Sequence, residues 1–230
     1  MARRMASDLA RHGHRTRRGR GRRERMVFSP QAHCIMSTTV DAGLRRLHEL
    51  AWRPGAWMHE AWWSRLSLDG WRASYLARPA CRPSIDRLIV RQRAFPSQPL
   101  PASLYGSDQL LIALERRLPA LVTALGVVTL GCVDHLLLKS HREALANYLD
   151  LKSCDQLLAL HDSWDTGAAC LPPNELADIA FLAGARWWHR DAQRSVCARL
   201  LATLLPPDDD SPCVNEGCAV EHLVKLSRFL

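Results

Sequence analysis

The side chains able to do chemistry are few and poorly assembled. Cys213, Cys218 and His222 offer three soft ligands behind the acidic run Asp208 to Asp210. Structural zinc sites ask for four ligands or paired C-x-x-C elements, so the sequence predicts no metal there. His59-Glu60 begins the H-E-x-x-H pattern of zinc hydrolases, but Trp63 stands where the second imidazole is needed. Gly126-Val-Val-Thr-Leu-Gly131 lacks the middle glycine and the lysine of a phosphate loop and reads as helix interior. No G-x-S-x-G elbow occurs. His141 falls among Leu137, Leu138, Ala144, Leu145 and Tyr148, the setting of a hydrogen-bonded core histidine, and His161-Asp162 precedes Trp164 as a pair near a helix end. These residues predict a protein that is not an enzyme, with no cofactor and no small-molecule substrate.

The unusual chemistry is aromatic. Trp52-Arg-Pro-Gly-Ala-Trp-Met-His-Glu-Ala-Trp-Trp63 holds four of the eight tryptophans. Read as a helix after Pro54-Gly55, it places Met58, His59, Trp62, Trp63 and Leu66 on one face and Trp57 on another. An amphipathic helix buries one face, so the second indole must be covered by another part of the chain or by a partner. Two readings stand: core aromatics, or an anchor for a partner made of Trp57, His59, Trp62 and Trp63.

These residues must be positioned by helices. The chain carries 36 leucines against 5 isoleucines and 11 valines, and alternating apolar-polar runs are scarce. Periodicity predicts helices over 40–51, 56–66, 69–77, 84–94, 107–117, 119–131, 134–150, 154–164, 174–188, 191–204 and 216–228, with Ser107, Ser153 and Asn174 as N-caps and Gln156 completing a capping box. The fold expected is all-α, an irregular multi-helix bundle in one domain over 39–230, with a candidate sub-boundary in the proline-rich loop 95–103. The segment 174–188 is apolar around most of its circumference and belongs at the centre. There Ala183-Gly184-Ala185 lets a neighbouring backbone approach, and Trp187-Trp188 fill the space below.

The formal charge of +8 belongs to a tail. Residues 1–25 hold ten arginines against Asp8 and Glu24, which leaves 21 basic and 21 acidic residues in the remainder. The stretch 1–38 has too little apolar content to order itself and is expected to be disordered. Its Arg15, Arg17, Arg18, Arg20, Arg22 and Arg23 suit phosphate neutralisation, so a nucleic-acid-associated helical protein is the alternative function. Met26 and Met36 are alternative starts that would remove the arm. No apolar stretch follows the arginines as an export signal requires, and eight scattered cysteines form no compact disulfide framework. The longest charge-free run, Leu118 to Val133, is shorter than the ~20 residues of a bilayer span. The expectation is a cytoplasmic protein with no membrane insertion.

The order Trp52, Pro54, Trp57, His59, Trp62 resembles the N-terminal signature of the K component of bacterial type III secretion systems, the SctK family that includes YscK and PscK. Leu125-Gly126 with Cys132 and Leu136 to Leu138, then Trp187-Trp188, then His222-Leu-Val-Lys225 follow in the family's order. The resemblance runs from about His48 to Leu230, departs from the pattern at Trp52-Arg53 and does not reach residues 1–35. It implies a non-enzymatic adaptor peripheral to the inner membrane, linking the cytoplasmic domain of the ring's D component to the Q component of the sorting platform. The tryptophan segment and a second patch at His222 and Lys225 are the contact residues this reading selects.

Overall fold

In a computed structural model the chain is described over residues 42–97, 99–165, 167–208 and 217–230. The arginine arm and Cys213 lie outside the described residues. Those described form helices and short 3-10 turns, with no strand among them.

Helix α6 (Leu118–Leu130) organises the rest. Eight of its residues are buried on all sides of the helix, so it must be enclosed by neighbours. Pro119 in its first turn uses a position that has no intrahelical donor to lose, and Gly131 ends it in the left-handed region at φ 69°. Helix α10 (Pro173–Ala192) lies across it. The crossing is a backbone contact: a Cβ added to Gly126 would sit 1.6 Å from the Ala180 carbonyl oxygen, and one added to Gly184 would sit 1.9 Å from that of Val122. Glycine at both positions is what lets the two helices touch. Trp187 and Trp188 are buried beneath the crossing, as their sequence setting predicts. Around this pair pack α1 (42–52), α5 (Gly106–Ala113), α9 (Leu151–Leu160), α11 (Val196–Leu201) and α12 (Ala219–Leu226), whose buried leucines join one core.

A smaller core of Met58, Trp63, Leu68, Tyr75, Ile85 and Ile89 is built by α2 (Ala61–Arg65), α3 (Asp69–Ala77) and α4 (Arg82–Arg93). It is tied to the larger body by the His59 N–H donating to the Thr203 carbonyl at 2.9 Å and the Trp62 indole donating to Leu205 O at 2.9 Å.

Three expectations are corrected. The helix over 56–66 is a 3-10 turn (Pro54–Ala56), an open corner and α2. The His59 N–H goes to the Thr203 carbonyl, so a long-range partner takes a donor a continuous helix would use, while the Gly55 N–H ahead of it goes to the Asp86 carboxylate at 3.0 Å. The helix over 134–150 breaks into α7 (Asp134–Leu137) and α8 (Lys139–Leu145), because Leu138 is extended at ψ 131°. The cap expected at Ser153 belongs to Asp150, whose carboxylate accepts the Ser153 N–H at 2.7 Å, while Tyr105 and Pro172 precede α5 and α10 in place of Ser107 and Asn174. No helix among the described residues is long and apolar enough to cross a membrane.

Candidate functional site

The tryptophan segment is fixed from below. Asp86, buried on α4, accepts from the Gly55 N–H and from the Tyr75 hydroxyl at 3.2 Å. Burial pushes the Asp86 carboxyl above the usual carboxylate range, and burial together with Asp86 raises the Tyr75 phenol to about 12. Gly55 admits no side chain, since an added Cβ would lie 2.7 Å from the Tyr75 ring. This clamp holds the corner from which Trp57 projects.

The tryptophans then part company. Trp63 is buried, tilted against Tyr75 with ring centroids 5.5 Å apart. Trp57 is 42% exposed, with the Arg46 guanidinium 3.8 Å above its ring. Arg46 is held by Glu115, its Nε within 3.0 Å of a carboxylate oxygen, and that hydrogen bond raises its pKa despite partial burial. Glu115, Arg46 and Trp57 line a groove of about 560 Å³ between α1 and α5, together with Gly43, Leu104 and Ile112.

Trp62 opens on the other side, into a cleft of about 260 Å³ shared with Arg93, Phe95, His189 and Arg199. The guanidinium of Arg93 lies 5.7 Å from the Trp62 ring centre, and that of Arg199 lies 4.0 Å from Phe95. No carboxylate among the described residues pairs with either arginine. Arg93 NH1 is buried without a hydrogen-bond partner, and burial, then Arg199 beside it, pushes the Arg93 pKa down to about 10. His189 meets Trp62 edge-on at 6.0 Å, and its Nε2 lies 2.6 Å from Pro206 O; burial lowers its pKa. His59 is half-buried, with Nδ1 accepting the Ala61 N–H at 3.2 Å, and burial lowers its pKa as well. The second patch stands apart on α12: His222 packs on Trp187 at 5.0 Å, and with exposed Lys225 it lines a shallow cleft of about 150 Å³.

Sequence reasoning found Trp57 and Trp62 but missed Arg46, Arg93, Phe95, His189 and Arg199. Only the closeness of Arg93 to Phe95 was legible; Arg199 comes a hundred residues later and reaches the cleft through the fold. The fold and this surface define a helical protein that presents aromatic rings under arginines. The family model described as a type III secretion system subunit matches residues 45–207, more than half of the chain, and the chain belongs to that family. Comparison with curated proteins and with solved structures finds no match.

Proposed function

We propose that the chain is a non-enzymatic adaptor, the K component of its secretion system, and that it links the inner-membrane ring to the sorting platform at the cytoplasmic face. The partners are the Q component and the cytoplasmic domain of the D component. The observation that carries this reading is the Trp62 cleft, where Arg93 and Arg199 lie on aromatic rings with no acid of their own. A desolvated Arg93 with a second guanidinium, Arg199, beside it is a standing demand for a carboxylate, and a partner's acidic side chain meets it. Trp57 supplies an exposed indole of the type that dominates interface energetics.

Binding of the purified full chain to each partner tests this. Trp57→Ala removes the exposed anchor. Arg199→Glu gives Arg93 an internal acid, which closes the cleft to an external one, and circular dichroism checks that the variant is folded. The expected result is at least a roughly tenfold loss for one or both partners, an effect of interface hot-spot size. Wild-type affinity of both variants for both partners would sink the proposal.

A further inference from the structure

The Trp62 cleft does not end at Arg199. Helix α4 stops at Ala94, whose left-handed turn at φ 50° precedes the buried Phe95, and α10 and α11 are joined by the corner Gln193-Arg194-Ser195. The Arg199 guanidinium lies 4.0 Å from the Phe95 ring centre and that of Arg93 lies 5.9 Å from it. A second cleft, of about 210 Å³, shares Phe95, Gln193 and Arg199 with the first and adds Arg194 and Ser195. We propose that the two clefts are one groove that takes a short acidic segment of a partner, seating carboxylates close in sequence on Arg93, Arg199 and Arg194. This rests on the adaptor reading of the Trp62 cleft and adds the form of the ligand, a linear run of acids in place of one acid on a folded face.

Charge selects the occupant. Four arginines line the two clefts, Arg65 and Arg93 in the first, Arg194 in the second and Arg199 in both, and among the described residues no acid lines either. The acids of the packed elements are committed elsewhere. Asp191 on α10 is buried and accepts the Ala219 N–H, and Asp108 on α5 accepts the Ser195 hydroxyl at 2.8 Å. Asp208 bears electrostatically on His189 but lines neither cleft. The arginine fork matches a carboxylate through paired N–H donors, and the buried, unpartnered Nη1 of Arg93 is a donor that costs stability until a ligand accepts from it.

Shape selects a linear segment. Each cleft is smaller than the ~300–1,000 Å³ that holds a small-molecule ligand, so each suits an inserted side chain. Two such sites with a shared wall are filled by side chains close together on one chain, as those two apart on a strand or one turn apart on a helix are, at about 5–7 Å. Nucleotides fit less well. A base needs an open ring face to stack on, whereas Phe95 is buried with Arg199 over it, and Trp62 is half-buried with Arg93 near its ring and His189 edge-on to it.

The test uses the full chain at physiological ionic strength, with oligo-glutamate as the probe and oligo-glutamine as its neutral twin. Phenylglyoxal modifies accessible arginines, and mass spectrometry of the digested protein reads each one. Oligo-glutamate should slow the modification of Arg93, Arg194 and Arg199 together by roughly tenfold, the effect of one charge-assisted contact, and oligo-glutamine should leave it unchanged. Arg228, exposed and lining neither cleft, should react at one rate throughout. Arg199→Ala, checked for fold by circular dichroism, should abolish the protection of Arg93 and Arg194 while leaving that of the arginine arm, and Arg194→Ala at the exposed corner should weaken it. Modification of the three arginines at the same rate with either probe would overturn the inference. If an intact partner still protects them, the adaptor reading stands with a folded acidic face in the groove; if no partner does, that reading falls as well. Protection by oligo-glutamate but by neither partner would keep the groove and overturn the adaptor reading alone. A single-stranded DNA that protects as well as oligo-glutamate would overturn the acidic segment in favour of a phosphate backbone.

Discussion

Gly184→Ala places a methyl group where α6 and α10 leave no room. The added Cβ would lie 1.9 Å from Val122 O and 2.9 Å from Gly126 N, against an ordinary contact of 3.4–4 Å. The gap must therefore open by roughly 1.5 Å, and the obstacle is helical backbone, which cannot swing aside as a side chain does. Two effects oppose each other. Alanine is the better helix former by about 0.5–1 kcal/mol. Overpacking costs about 1–3 kcal/mol even where side chains can yield, and a radial gap of about 0.5–1 Å already forfeits a quarter to a half of each dispersion contact along the seam. With leucines buried on both sides of the crossing, the seam loses more than propensity returns, and a net loss of about 3 kcal/mol is expected. Urea unfolding followed by the fluorescence of the buried tryptophans should show a midpoint lower by roughly 1–1.5 M. Gly126→Ala should behave alike. Gly70→Ala, whose added Cβ meets nothing within 4 Å, should be neutral or slightly stabilising. A Gly184→Ala protein as stable as the wild type would refute the backbone contact.

Other perturbations have defined outcomes. Ala94 ends α4 at φ 50°, so Ala94→Gly should raise stability by about 0.5–1 kcal/mol, read as a higher Tm. Tyr75→Phe takes a donor from the buried Asp86 carboxyl and should cost about 1–3 kcal/mol in denaturant unfolding. Asp150→Ala should lower Tm at neutral pH. The hydrogen bonds from Ser153 hold the Asp150 carboxyl below the usual range, so its stabilising effect is present above the unfolded carboxylate pKa and is lost as pH falls through the lower folded value. The Tm gap between wild type and variant should accordingly close in acid, and a gap independent of pH would remove the cap as its cause.

The all-helical class was legible because leucine content and periodicity are local signals. The span 69–77 matches α3, and the crowding of Ala183-Gly184-Ala185 above two tryptophans correctly announces the central helix. Periodicity failed where a distant partner claimed a backbone group: Thr203 draws the N–H of His59 out of the expected helix. Yet the periodic reading still sorted the side chains, since Met58 and Trp63 are buried and Trp57 is exposed. The arginines of the Trp62 cleft were illegible because nothing near Arg199 in sequence marks it as a neighbour of Phe95. His141 reads correctly as a buried, hydrogen-bonded histidine, its Nε2 2.8 Å from Leu171 O. Its nearness to Cys170 depends on the break at Leu138, which no local pattern betrays.

The crossing of α6 and α10 also sets a timetable for synthesis. Gly126 leaves the ribosome about sixty residues before Gly184, and at roughly 5–20 residues per second that is an interval of about 3–12 seconds. Throughout it, α6 is a charge-free, mostly apolar segment without its cover. Nascent chains are most prone to self-association in that window, so slowing initiation, lowering the growth temperature or supplying a holding chaperone should improve the yield of this protein more than any change to its finished surface.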